Sequence, residues 1–268
     1  MITNFFEGIG AYALLMTKVF RRPDRWKLFY RALVKEIQLL GLDSIGIVVI
    51  LSVFMGGVVT IQTAFQLSDD PLIPTYYIAM ATRESITLEF SPTVVSLILA
   101  GKVGSNVASS LGTMRVSEQI DALEVMGVNS ASFLILPKIV AQLIFNPILI
   151  IMSLFLGLWG GAMAGDLLGF VPFEESIMGY RLEFIPFENA FYALIKSVVF
   201  AFIIGSVSAY SGYTVKGGAV EVGVASTNAV VRSCLAIILA NYLLTGRRQP
   251  RRSPWPWRRR NLPSRSRT

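Results

Sequence analysis

Ile45-Gly-Ile-Val-Val-Ile-Leu-Ser-Val-Phe-Met-Gly-Gly-Val-Val-Thr-Ile61 carries no charged side chain, and its only hydroxyls are Ser52 and Thr60. A helix that crosses a bilayer needs about 20 mostly apolar residues, and this stretch with its flanks supplies them. The whole 268-residue chain has the same character, with 53% hydrophobic residues, 15% charged residues and a mean hydropathy of +0.59. Soluble domains carry about 25% charged residues. That deficit excludes an ordinary soluble enzyme, and the apolar excess excludes disorder.

Four more spans follow toward the C-terminus. They run from about Phe90 to Leu111 with Lys102 inside, Leu134 to Met163 with Pro137 and Pro147 inside, Phe191 to Tyr210 with Lys196 inside, and Ala225 to Leu244 with Arg232 inside. Pro71–Ile86 is too polar to cross and reads as a loop or a short helix. Before Ile45, residues Phe5, Ile9, Tyr12, Met16 and Val19 share one helical face. After Arg21-Arg22-Pro23 the pattern restarts with Trp26, Tyr30, Leu33, Ile37 and Leu40. Arg25, Lys27, Arg31, Lys35 and Glu36 fall on the other side, as in a helix lying in the headgroup plane. No basic residue precedes the first apolar stretch, so no signal peptide is expected. The expectation is an all-α polytopic membrane protein in three parts. Residues 1–40 form interfacial amphipathic helices, 41–245 a transmembrane domain of five spans, and 246–268 an arginine-rich tail.

The net charge of +7 is misleading. Nine of the 24 basic residues are arginines of that tail, which holds no acid. Without them, 15 basic residues face 17 acids. The body has no clustered basic face for nucleic acid. With no histidine and one cysteine, Cys234, the chain lacks most nucleophilic triads and His- or Cys-rich metal sites, and no cofactor is expected. Basic residues in short flanks mark the cytoplasmic side. Those between Lys18 and Lys35 place the N-terminus in the cytoplasm. The acid-rich loops around Asp69 and Glu174 then face outward, and the segments around Arg115 and Lys216 face inward. Five spans put the tail outside, against the same rule. It reads as a lipid- or RNA-binding extension, or as low complexity of the out-of-frame kind, and is set aside.

Between spans two and three lies Arg115-Val-Ser-Glu-Gln-Ile-Asp-Ala-Leu-Glu-Val-Met-Gly127. Ser117 is placed to cap a helix with Glu118 in its first turn, and Gly127 to end it. About nine residues would span roughly 13 Å. Val116, Ile120 and Leu123 share one side, while Glu118, Asp121 and Glu124 are polar. The pattern fits a docking element for a partner, and equally a helix resting on the membrane. Gly101, Ser105, Ala108 and Gly112 form a small-residue stripe in span two, and Gly157, Gly161 and Gly165 a second one in span three. Such stripes let helices approach closely, within a chain or between copies. An ionisable residue inside a span is a functional candidate. Lys196 could meet a lipid phosphate or snorkel to the headgroups. Glu89, at the mouth of span two, could pair with Lys196 or Arg83. Lys102 reads as a snorkelling or pairing residue.

The stretch Thr113–Lys138 (TMRVSEQIDALEVMGVNSASFLILPK) resembles the signature of the MlaE/YrbE-type permeases. These are membrane subunits of ABC transporters that move phospholipid in double-membraned bacteria. Leu88–Ser105, Leu194–Ala201, Val230–Ser233 and Asn241–Thr245 are similar to other family segments, and the likeness covers most of residues 5–245. It implies that Glu118, Gln119, Ile120, Asp121, Ala122, Leu123, Glu124, Met126 and Gly127 form a coupling helix seated in a cleft of a cytoplasmic ATPase. It also implies Glu89, Lys196 and Asn241 as lipid-binding candidates, a homodimer, an MCE-type lipid-shuttling partner and a place in the bacterial inner membrane. Where this chain has Asn241 the family often has an acid. ATP hydrolysis is left to a partner, because the chain lacks a Walker A motif. The rival reading is a membrane-embedded lipid-modifying enzyme, which needs clustered metal-binding acids. The acids here are scattered.

Overall fold

A computed structural model describes residues 2–21, 26–67, 74–182 and 186–246. The Arg22-Pro23 break, Asp69, Asp70, Glu183 and the tail from Arg247 onward lie outside the described residues. The described segments are helices joined by short turns: α1 (Ile2–Val19), α2 (Trp26–Glu36), α3 (Ile45–Leu67), α4 (Tyr76–Ser85), α5 (Val95–Leu99), α6 (Ser105–Val116), α7 (Gln119–Val125), α8 (Ser130–Leu167), α9 (Phe173–Arg181), α10 (Pro186–Tyr213) and α11 (Ala219–Gly246). Five helical runs are long and apolar enough to cross a membrane: Trp26–Leu67, Tyr76–Val116, Ser130–Leu167, Asn189–Tyr213 and Ala219–Gly246. The protein is an all-α polytopic membrane protein.

Two of these runs are longer than expected from the sequence. The amphipathic segment and the first span were expected to be separate, but they form one unbroken run. It passes through a π-helical turn, Ile37–Gly41, and a 3₁₀ turn, Leu42–Ser44. No proline interrupts this junction, and one glycine costs a helix only about 1 kcal/mol. The Glu36 carboxylate anchors it to α8 by accepting from Lys138 Nζ at 2.6 Å. The second span also starts early. The polar stretch expected as a loop or short helix is helical over α4 and continues through a π-helical segment, Ile86–Val94. Its buried Arg83 finds acceptors within the fold. The guanidinium donates to the carbonyls of Tyr180 (3.0 Å) and Leu182 (2.7 Å) and to Glu84 (2.9 Å), clasping α9 to α4. A second π-helical turn, Ala100–Gly104, separates α5 from α6.

Lipid tails are as apolar as leucine, so helices in a bilayer are held by close van der Waals packing and hydrogen bonds. The tightest contact joins α3 to α8. A Cβ added at Gly56 would overlap the Gly157 carbonyl, and one at Gly160 would overlap the Val53 backbone. Gly161 faces Thr60, and Gly165 faces Thr60 and Val171. The second glycine series therefore packs two helices of one chain. The first stripe divides. Ala108 is fully buried against Gly212 of α10, Gly112 meets Val215 and Val222, and the Ser105 carbonyl accepts from Ser226 Oγ at 3.2 Å. A Cβ added at Gly101 would meet nothing within 4 Å, so this residue takes no part in the packing.

Candidate functional site

The polar groups that sequence reasoning singled out gather at opposite ends of the bundle. One end holds α7. The residue before it, Glu118, has φ 59°, the only left-handed non-glycine among the described residues. Ser117 does not cap the helix as expected; its Oγ donates back to the Thr113 carbonyl at 2.8 Å. The helix begins at Gln119 and has seven residues, not nine, or roughly 10 Å at about 1.5 Å per residue. Gly127 does terminate it. Its φ is 75°, its N–H donates to the Glu124 carbonyl (3.0 Å), and the Val128 N–H donates to the Leu123 carbonyl (3.1 Å). This is the paired bonding of a Schellman end.

The faces of α7 are sorted differently from the expectation. Ile120 is fully buried in the chain's own core and Leu123 is half-buried, so they seat the helix on the bundle. Asp121 binds Arg115 at 2.5 Å. The Glu124 carboxylate accepts from Ser130 Oγ (2.8 Å) and Tyr213 OH (3.0 Å), and these hydrogen bonds hold its pKa below the ordinary 4.5 against the opposing effect of burial. Glu118, Gln119 and Ala122 are exposed. Sequence reasoning missed Val125, which is 88% exposed beside Met126 at 68%. Two such apolar side chains outside the spans were visible in the sequence only as the last residues before Gly127. The N-terminal segment lies at the same end: Asn129 Nδ2 donates to the Lys18 carbonyl (3.0 Å) and Ser132 Oγ to that of Arg21 (2.9 Å).

At the other end, Glu89, Lys196 and Asn241 come together. Lys196 is fully buried. Its Nζ donates to Glu89 Oε1 at 2.8 Å and to the Leu88 carbonyl at 2.9 Å, and sits 4.9 Å from the centre of the Tyr192 ring. The Leu88 carbonyl belongs to the π-helical segment that carries Glu89, so the ammonium takes two acceptors from one turn of the second span. Asn241 Nδ2 donates to Glu89 Oε2 (3.0 Å) and Thr245 Oγ1 to Glu89 Oε1 (3.1 Å). Of the sequence's two options for Glu89, the structure selects Lys196; Arg83 binds elsewhere. The ammonium is enclosed, and the side chain facing the open side is Glu89, 40% exposed. Tyr192, Thr245 and the Leu88 carbonyl were missed, because only the fold brings spans two, four and five together there. Lys102 donates to the Asp43 carbonyl, tying the second span to the turn that begins the first.

Five spans, a short connecting helix with an exposed apolar tip and a buried ion pair at the far end define a polytopic membrane protein built around polar groups at both faces. The chain belongs to the MlaE permease family: the family described as Permease MlaE matches residues 33–246. A probable ABC transporter permease protein of Rickettsia bellii is 32% identical over 243 residues, which cover 89% of this chain and 91% of the relative. The chloroplastic protein TRIGALACTOSYLDIACYLGLYCEROL 1 of Arabidopsis thaliana is 31% identical over 232 residues, 87% of this chain and 65% of the relative. The intermembrane phospholipid transport system permease protein MlaE of Haemophilus influenzae is 25% identical over 250 residues, 91% of this chain and 93% of the relative. The chain is a membrane permease.

Proposed function

We propose that this permease is the membrane subunit of an ABC transporter that carries phospholipid between the membranes of a double-membraned bacterium. A separate cytoplasmic ATPase drives it through Glu118–Gly127. The observation that carries this reading is the tip of α7, where Val125 and Met126 stand almost free of the fold on a helix held rigidly from below by Ile120 and Glu124. Exposed apolar side chains on a braced polar helix fit the groove of a partner, where a few buried anchors carry most of the binding energy. The likeness to permeases named for ABC transport supports an ATPase as that partner, and the relative named for phospholipid transport supports the cargo.

The N-terminus lies in the cytoplasm and the protein in the inner membrane, with Glu89, Lys196 and Asn241 at the outer end. Phospholipid contacts this cluster through Glu89 and its hydrogen-bond partners, and Lys196 meets a phosphate only when the pair opens. An MCE-type protein receives or delivers lipid on that side. The permease works as a homodimer. Supporting this, a smaller share of the apolar stretch of α11 is buried within the chain than in any of the other four runs, so much of its surface is available to a second copy.

The test is co-purification of the ATPase with the tagged permease. Each anchor contributes about 2 kcal/mol, roughly thirtyfold in Kd. Val125→Asp with Met126→Asp releases the ATPase at unchanged membrane yield, while Gln119→Ala retains it. ATPase retained by the double variant at normal yield would overturn the assignment.

A further inference from the structure

A groove of about 240 Å³ runs between α10 and α11 at the α7 end of the bundle. Val215, Lys216 and Glu221 line it beside the turn that joins the two helices, Val224 and Ala225 line its middle, and Ser211, Asn228 and Arg232 line the end farthest from that turn. The hydroxyls of Ser208 and Ser233, 3.4 Å apart, fix this register between the two helices. Three features of the far end are unexplained by the fold. Arg232 sits midway along a membrane span, is exposed, and has no ion-pair or hydrogen-bond partner among the described residues. Ser211 is 6% exposed, and its Oγ has no hydrogen-bond partner among them. Asn228 is four residues before Arg232 on the same face, and helical side chains lean toward the N-terminus, so the guanidinium reaches toward Asn228 and the groove.

We infer that this groove is a binding site for a phosphate group, which Arg232 pairs with and which Ser211 and Asn228 hydrogen-bond. An arginine in hydrocarbon is tolerated only opposite a polar or anionic partner, and its planar fork suits phosphate oxygens. The local charge agrees. Lys216 and Arg232 outnumber Glu221, whose Oε2 already accepts from the Gly218 N–H at 2.9 Å. Lys216 beside the turn draws the anion in, and the apolar middle suits the chains that accompany a lipid headgroup. The site is distinct from the Glu89–Lys196–Asn241 cluster at the other end. It rests on the lipid-transport reading for the source of the phosphate, which is a phospholipid headgroup or a soluble phosphate.

The test uses the full chain in nanodiscs containing phosphatidylglycerol, without ATPase, with the photocrosslinker p-benzoylphenylalanine at Val224. Lipid capture is expected to fall about tenfold in Arg232→Gln and to be largely restored in Arg232→Lys. A crosslinker at Phe54 of α3, exposed and away from both the groove and α11, captures bulk lipid equally in all three. Equal capture at Val224 in Arg232→Gln overturns the site, as does equal capture of a diacylglycerol lacking phosphate. Direct titration with inorganic phosphate separates the sources. Arg232-dependent binding of the free ion with no Arg232-dependent lipid capture keeps the phosphate site and removes lipid as cargo. Arg232-dependent lipid capture that excess inorganic phosphate leaves unchanged assigns the headgroup. ATPase docking enters none of these readouts, so its failure would leave them intact.

Discussion

Removing Glu89 and removing the charge of Lys196 should have unequal consequences, although the two form one ion pair. Glu89→Ala leaves an ammonium that is fully buried, with the Leu88 carbonyl and the Tyr192 ring as its remaining partners. Stranding one member of a buried pair costs about 3–5 kcal/mol. Because Glu89 itself is 40% exposed, the pair is partly screened, and about 3 kcal/mol is the better expectation. Lys196→Met keeps the apolar stem and strands a carboxylate that is part-exposed and still accepts from Asn241 and Thr245. That change loses a charge-assisted hydrogen bond, worth about 1.5 kcal/mol. At roughly 2–4 °C per kcal/mol for a chain of this size, Glu89→Ala lowers the melting temperature by about 6–12 °C and Lys196→Met by about half as much. The combined variant should be no worse than Glu89→Ala alone, since removing the lysine removes the stranded charge. The assay is fluorescence-detected size-exclusion chromatography of detergent-solubilised protein after heating. A Lys196→Met protein as unstable as Glu89→Ala, or fully additive losses in the double variant, would refute the reasoning.

The α3–α8 contact predicts that Gly56→Leu, which drives a side chain into the Gly157 carbonyl, abolishes folded protein, while Gly8→Leu, with nothing within 4 Å, leaves the yield unchanged; monodisperse yield after solubilisation measures both. Glu124 has a folded pKa held below 4.5, first by the Ser130 hydrogen bond and then by that from Tyr213. A depressed carboxyl pKa adds stability that is present above the unfolded value and is lost as pH falls through the folded one. The protection of the α7 amides against hydrogen exchange should accordingly fall as pH drops below about 4.5, and Ser130→Ala should make that pH-dependent loss smaller. For topology, a cysteine at Glu175 in a Cys234→Ser background should react with an impermeant maleimide added outside, and one at Glu118 should not; labelling of Glu118 from outside reverses the orientation. Ser68, expected on the same outer side as Glu175, lies outside the described residues.

Apolar run length made the five spans legible, because no other feature competes with it in a chain so poor in charge. Their ends were not legible. Helix continues through Ile37–Ser44 and Tyr76–Ser85 because the polar residues there find partners on other helices: Glu36 on Lys138, Arg83 on the end of α9. Local composition cannot register a partner a hundred positions away. The same limit applies to the sites. Spacing placed Ile120 and Leu123 on one face correctly, but periodicity alone does not say whether an apolar face turns toward the chain's own core or toward a partner. The Glu89–Lys196 pair was visible as one of two options; its third and fourth members, Asn241 as hydrogen-bond donor and Thr245 beside it, depended on how the last helix is set against the second span.

The glycine contact between α3 and α8 has a mechanical consequence. Backbones that meet at Gly56, Gly157 and Gly160 with no room for a Cβ cannot slide past one another in small steps, since displacement by a single residue would bring Val53 or Met55 side chains against the opposing main chain. The pair behaves as a fixed post. Any rocking during a transport cycle must take place around it, in the more loosely held α10–α11 half and at the π-helical turns of the second span, and a crosslink welding α3 to α8 should leave turnover untouched where one across the α10–α11 groove would stop it.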